Sequence, residues 1–436
     1  MKTINNFVES EKNEFTSSVR AFLPHYAVVP FDFGKSNSFK CIVQKNDVVK
    51  EGQIIAISAK EGDSIRSYIH SSVPGRVDSV GECFLPNGRK GTAVKIRTEG
   101  AFSYLGKTLP ETDWQWFTKE NFLDLISTKG VLNTFAAPVP LASQISSCTL
   151  TKGRFLVVRL FDEDPSRMTD TFVAKNKIYE VLTGAKIVAK TMEAKGIVFV
   201  FPHKSDIQIN EADFSPFPLM VLETDPQKYP AGYMQNLMNL VKKNARSTEK
   251  ADFSLINRRC IYCDPQTLVS VYDAVVLGEP VVETFVHVTG KCINSSGILK
   301  VRVGTSLREL ASQCGNFKSK PAKIIINGMV SGSAINSLET TITRDVKSIT
   351  FVSADELSVQ SLAPCVRCGK CRTICPEGLY PDLMFRHSLG GKPVGTELVK
   401  TTDFCSGCAL CNSVCPSRLP LCQTIELLRK NKDDVN

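Results

Sequence analysis

The sequence predicts a multidomain chain of mixed α/β and α+β architecture that ends in a small unit organised by cysteines. Three observations predict it. A chain of 436 residues, 42% hydrophobic and 22% charged, is globular in composition. It is too long for one core, since single cores rarely grow beyond about 250–300 residues. The apolar pattern changes along the chain from short alternating runs to strand–helix alternation and back. Finally, two matching cysteine cassettes close it, "CVRCGKCRTICP" from Cys365 and "CSGCALCNSVCP" from Cys405.

Residues 1–25 read as an N-terminal extension. The opening "MKTINNFVESEKNEF" lacks the apolar centre of a secretory signal, and no apolar run approaches the roughly 20 residues that span a bilayer. These features predict a cytoplasmic protein whose membrane attachment, if any, comes through partners. Residues 26–105 read as short strands. "CIVQKNDVVKEGQIIAI" alternates and turns at Asn46-Asp47 and Gly52, and "SYIHSSVPGRVDSV" turns at Pro74-Gly75. This segment resembles a biotinyl/lipoyl-type hammerhead, or barrel-sandwich, domain without the lysine hairpin that carries the modification.

Residues 106–280 alternate buried strands with helices. "RFLVVRLF" and "KGIVFVFP" are the strands, "DTFVAKNKIYEVLTGAKIVAKTMEAKG" the helix between them, and "PQTLVSVYDAVVLG" a later helix. Such alternation predicts a parallel, Rossmann-like sheet with covering helices. Residues 281–355 return to strands, "VHVTG", "ILKVRVG", "KIIINGMVSG" and "SITFV", around one short helix, "SLRELASQCG". That pattern suits a small β-grasp module.

Residues 356–436 carry the cassettes. Each reads C-x2-C-x2-C-x3-C-P, the run that wraps three thiolates around one [4Fe–4S] cluster and sends the fourth to a neighbouring cluster. On that rule Cys365, Cys368, Cys371 and Cys415 hold one cluster, and Cys405, Cys408, Cys411 and Cys375 the other. Pro376 and Pro416 stop each ligand loop from continuing as helix. Gly369 and Gly407 let backbone amides approach the sulfurs. Zinc knuckles pair two C-x2-C arms, and a third cysteine at the same interval fits them poorly. Sixteen cysteines in a reducing compartment point to metal or redox work rather than disulfides. Two such clusters suit the passage of single electrons; no catalytic residue is assigned.

The formal charge of +9 falls to about +5 once two oxidised clusters are counted. The basic residues are scattered without an aromatic-interleaved stripe, which argues against a nucleic-acid partner.

In combination, "VVKEGQIIA" with "VPGRV", "KYPAG" at Lys228–Gly232, "AVVLGEPVVETFVHVTG", "VRVGTSLREL", "NGMVSGSAI" and the cassettes resemble the RnfC family, the C subunit of the Rnf ion-translocating electron-transport complex. The resemblance covers nearly the whole chain. The front half is also similar to the A subunit of the sodium-translocating NADH:quinone reductase, and more distantly to the flavin-bearing subunit of respiratory complex I. The resemblance implies a hammerhead domain, a Rossmann-like domain, a soluble-ligand-binding (SLBB-like) β-grasp module and a two-cluster ferredoxin-like tail. It further implies a peripheral subunit on the cytoplasmic face of the inner membrane, which docks on the complex's membrane subunits and exchanges electrons with a ferredoxin-like or flavodoxin-like partner.

The family binds flavin mononucleotide and NADH through a glycine-rich loop, whose amides meet a phosphate. The corresponding "TKGVLNTFAAPVP" keeps only Gly130 as a cofactor-binding candidate, and the next strand ends in Asp162, Glu163 and Asp164, poor neighbours for phosphate. Flavin and NAD(H) are therefore not expected in the usual pocket, although Lys129 or Arg159 offers a divergent alternative. A soluble flavin/iron–sulfur reductase resembling the cobalamin reductases, and a cluster-containing scaffold subunit, are the competing readings.

Cys260 and Cys263 form a C-x-x-C on an expected strand, where residues three apart face opposite ways and cannot share a metal. Cys422 reads as packing beneath the cluster domain. Cys41, Cys83, Cys148, Cys292 and Cys314 are isolated, and histidines such as His70 and His203 show no ligand spacing.

Overall fold

The computed structural model describes residues 4–5, 15–31, 39–58, 65–148, 154–245, 251–357, 361–389 and 396–433. Near the N-terminus the strands Tyr26–Pro30, Lys90–Thr98, Gly75–Phe84 and Val48–Val49 lie side by side in that order, all antiparallel. Phe39–Cys41, Ile54–Ser58 and Tyr68–His70 form a second antiparallel sheet. Period-two alternation sends Ala27 and Val29, and Val94 and Ile96, inward, where they meet Ile55, Ile69 and Val77. Asn46 and Gly52 take the left-handed conformation at the expected turns. Gly75 instead opens a strand, and a Cβ there would stand 2.0 Å from the Arg97 carbonyl oxygen.

His70 ends one of these strands, 5% exposed, and burial lowers its pKa to about 3, with the charges of Arg344 and Lys129 acting the same way. The folded imidazole therefore stays neutral while the unfolded one takes a proton near 6.5. Because its folded pKa is depressed, its contribution to stability is present above about pH 6.5 and is lost as pH falls toward 3. We expect His70→Gln to remove about 2 kcal/mol of the stability that wild type loses between pH 7 and pH 5. Denaturant unfolding at the two pH values checks this, and equal losses in both proteins would contradict it.

The middle of the chain builds a four-stranded parallel sheet in the order Leu219–Thr224, Gly196–Pro202, Phe155–Arg159, Ile261–Cys263. Its central strands are buried on both faces, as their continuous apolar runs require. Leu156, Val158, Ile197 and Phe199 face the helices Ile178–Thr191 and Pro265–Val275. Phe155, Val157, Val198 and Val200 face the helix Met234–Asn244. The two helices of the first layer touch at Gly184, where a Cβ would lie 2.2 Å from the Leu268 carbonyl. The single helix expected after the first strand is two, Thr169–Asn176 and Ile178–Thr191, broken at Lys177. The first of them starts where the Asp162 carboxylate accepts from the amides of Asp170 and Thr171.

A six-stranded mixed sheet follows, ordered Val19–Arg20, Gly297–Arg302, Glu283–Thr289, Ser348–Val352, Lys323–Ile326, Ser333–Ile335, with the helix Leu307–Gln313 capped by Ser306. Its first strand belongs to the segment read from sequence as an extension. Ile4–Asn5 likewise pairs with Lys228–Tyr229, so that segment supplies edge strands to two later parts of the chain. Ion pairs tie the parts together: Arg302 to Glu51 and Glu283, and Lys347 to Asp170 and Asp264.

Candidate metal centre

The two cassettes fold alike. Arg367, Gly369 and Gly378 have positive φ, and so do Gly407, Ala409 and Arg418, each forty residues further on. The left-handed steps turn the chain sharply around each loop before the short helices Lys370–Ile374 and Leu410–Ser413, and longer helices follow at Pro381–Leu389 and Leu421–Asp433. Gly369 and Gly407 fall on these steps. Arg367 and Ala409 hold the matching steps at a cost of about 1–2 kcal/mol each, and nothing in their residue type announced it.

Cys371, Cys375, Cys408 and Cys411 are buried, Cys365, Cys405 and Cys415 half-buried, and Cys368 exposed. Cys375, Cys405, Cys408 and Cys411 line one small, partly open cavity. Cys365 and Cys415 pack with Cys371 in an apolar cluster that Cys411 also borders. Cys375 thus lies with the first three cysteines of the other cassette, and Cys415 with two of the first cassette's.

Backbone amides aim at the sulfurs. Leu379 donates to Cys375 Sγ at 3.4 Å, Gly407 and Leu410 donate to Cys405 and Cys408, and Asp382 donates to Cys371. Burial nevertheless pushes the Cys408 thiol up to about 11 and raises Cys371 and Cys375. Thiolates at such positions need a bound cationic centre to offset their charge. Among the described residues no three His, Cys, Asp or Glu side chains converge as single-ion ligands. Four cysteines spread around a cavity, with amides on their sulfurs, fit a polynuclear iron–sulfur cluster.

The cavity of the second cassette faces the body of the protein. Tyr229 donates its hydroxyl to the Cys408 carbonyl at 2.7 Å and lies 3.0 Å from the Tyr233 hydroxyl. Arg258 pairs with Glu377 and sits over the Phe404 ring. The first cassette faces outward, with Leu362 and Val366 exposed beside it.

A second place invites a ligand by topology, the carboxyl ends of the parallel strands. Here protein fills it. Arg159, fully buried, donates to the carbonyls of Phe161 and Gly232 and to Glu163, and its second guanidinium nitrogen approaches Asp170 at 3.4 Å. Lys347 Nζ lies 2.9 Å from Asp170 and 2.8 Å from Asp264. The loop amides are also spent internally: Thr134 N–H donates to Thr267 Oγ1 and Phe135 N–H to Asn133 Oδ1. The Phe135 ring covers Arg159 at 4.4 Å. Gly130 has a packing reason for being glycine, because a Cβ would stand 2.7 Å from an Arg344 nitrogen and 2.8 Å from the Tyr68 carbonyl. Asp164 accepts from the amides of Val330 and Ser331 and so binds the six-stranded mixed sheet to the parallel one. Arg159 and Lys347 are thus both engaged by partners within the protein.

Residues 9–101 match the RnfC barrel sandwich hybrid domain, and residues 359–419 the 4Fe-4S dicluster domain. The C subunit of the proton-translocating ferredoxin:NAD(+) oxidoreductase complex of Clostridium ljungdahlii is 24% identical over 347 residues, 79% of this chain and 74% of that one. The C subunit of the ion-translocating oxidoreductase complex of Rhodobacter capsulatus is 25% identical over 350 residues, 78% of this chain and 65% of that one. The corresponding protein of Buchnera aphidicola subsp. Baizongia pistaciae is 25% identical over 405 residues, 91% of this chain and 78% of that one. Through its N-terminal domain and these relatives, the chain resembles the C subunits of Rnf-type ion-translocating oxidoreductase complexes.

Proposed function

We propose that the chain is the electron-relay subunit of an Rnf-type ion-translocating oxidoreductase complex and carries single electrons through two [4Fe–4S] clusters. The observation that carries this reading is the crossed placement of the cysteines: Cys375 lines a cavity with Cys405, Cys408 and Cys411, while Cys415 packs with Cys365 and Cys371. Bound there, the clusters supply reversible one-electron storage close to each other. The residues then do the rest. Cys365, Cys368, Cys371 and Cys415 hold the outer cluster, and Cys405, Cys408, Cys411 and Cys375 the inner one. Tyr229 fixes the inner loop to the body, and exposed Val366 and Leu362 leave the outer rim open to a redox partner.

In this reading residues 26–105 are the hammerhead, 106–280 a Rossmann-like domain and 281–355 an SLBB-like module, with 356–436 the two-cluster domain. The Rossmann-like domain has become a rigid mount, its nucleotide crevice closed by Arg159, Lys347, Asp170 and Asp264. The partners are the membrane subunits of the complex and a ferredoxin-like or flavodoxin-like carrier, with the chain peripheral on the cytoplasmic face; none of the described helices is long and apolar enough to cross a membrane.

The test is to purify the chain anaerobically, alone and with candidate membrane subunits from its own genome. It should contain no flavin, fail to oxidise NADH alone, cycle its clusters with a low-potential one-electron donor, and be retained on membranes by those subunits. Stoichiometric flavin, or full solubility in their presence, would count against the proposal.

A further inference from the structure

A fifth thiol sits in the inner cavity. Cys422 lines it together with Cys375, Cys405, Cys408 and Cys411, and also packs in the apolar cluster that holds Cys371, Cys365 and Cys415. It therefore lies between the two cysteine groups. Its thiol accepts from that of Cys405 and donates toward the sulfur of Cys411.

The repeat explains why a thiol there has something to do. Forty residues before Cys422 stands Asp382, likewise at the start of the helix after its cassette. In the first half, the Asp382 amide donates to the sulfur of Cys371, and its carboxylate is gripped by both arms of Arg372 at 2.6 Å. In the second half, Arg372 is replaced by Asn412, whose Oδ1 takes the Cys422 amide at 2.8 Å. The backbone donor is thereby diverted from the third cysteine of the cassette, and the Cys422 side chain reaches Cys411 in its place.

We propose that Cys422 is a positioning residue of the inner cluster: it is not a ligand but donates an S–H···S hydrogen bond to the ligand sulfur of Cys411, and so sets that cluster's reduction potential. The proposal rests on the cluster reading above. A hydrogen bond to a ligand sulfur stabilises the more negative, reduced state and raises the potential. The two halves of the repeat thus supply the same kind of donor by different means, an amide over Cys371 and a thiol over Cys411.

The experiment compares wild type, Cys422→Ser and Cys422→Ala as full-length chains, prepared anaerobically. Iron is counted first, and both clusters are then titrated by electron paramagnetic resonance. A wild type with far less iron than two clusters require would sink the cluster reading itself, whatever the variants do. With that iron present, both variants should keep the wild-type content. One cluster should shift to a more negative potential in Cys422→Ala and to a more positive one in Cys422→Ser, whose hydroxyl is the stronger donor. If the alanine variant fails to hold its clusters, the serine shift alone decides. Potentials unchanged in the serine variant, or loss of a whole cluster from both variants, which would make Cys422 a ligand, overturn the proposal.

Discussion

Cys415→Ala should lose the same cluster as Cys365→Ala, and Cys375→Ala the same cluster as Cys405→Ala. Each of the four should fall from about eight irons per chain to about four, and the spectrum of the surviving cluster should match within each crossed pair. The expectation follows from where the fourth cysteines lie. Cys375 shares a cavity with the first three cysteines of the other cassette, and Cys415 packs with Cys365 and Cys371. If each cassette closed its own cluster, Cys415→Ala would instead match Cys405→Ala. The surviving spectra therefore distinguish crossed from uncrossed ligation without reference to activity.

Lys347→Met should be among the most destabilising single substitutions in the body of the protein. Its ammonium lies between two carboxylates that are fully buried, Asp170 and Asp264. Burial pushes Asp170 up to about 6. Asp264 is held at about 2, with Lys347 its main stabilising partner against burial. Breaking such a pair leaves charge without compensation and costs about 3–5 kcal/mol. In wild type the depressed Asp264 contributes stability that is present above about pH 4 and is lost as pH falls toward 2. Without Lys347 the folded pKa of Asp264 rises above its unfolded value, and the sign reverses, so the variant should gain on wild type as pH falls from 7 to 5. Denaturant unfolding at those two values measures both the deficit and its narrowing. A deficit under about 1 kcal/mol, or one independent of pH, would contradict the role given to this network.

Local pattern carried much of the fold. The runs "RFLVVRLF" and "KGIVFVFP" became adjacent parallel strands, because side chains apolar on both faces can be buried only inside a covered sheet. Cys260 and Cys263 point to opposite cores, Cys260 toward Phe155 and Tyr262 and Cys263 toward Leu156 and Leu268, as a strand requires.

What stayed hidden depends on contacts between distant residues. Val19–Arg20 is too short to show a period and is a strand only because Leu299 and Lys300 lie beside it. Asp164 looked like an obstacle to phosphate, yet its neighbours are amides of residues 330 and 331, more than 160 positions away. Arg367 and Ala409 carry left-handed turns that glycine would have advertised. Cys422 looked like packing because its partners, Cys405 and Cys411, are brought to it only by the return of the last helix.

Metal content of the anaerobically reconstituted chain is the most direct measurement of whether the cassettes hold two clusters. About eight irons and as many inorganic sulfides per polypeptide are expected, with a fully reduced resonance spectrum broadened by two neighbouring paramagnets. One or two zinc ions in place of iron, or a single cluster's worth of iron that reconstitution does not raise, would contradict it.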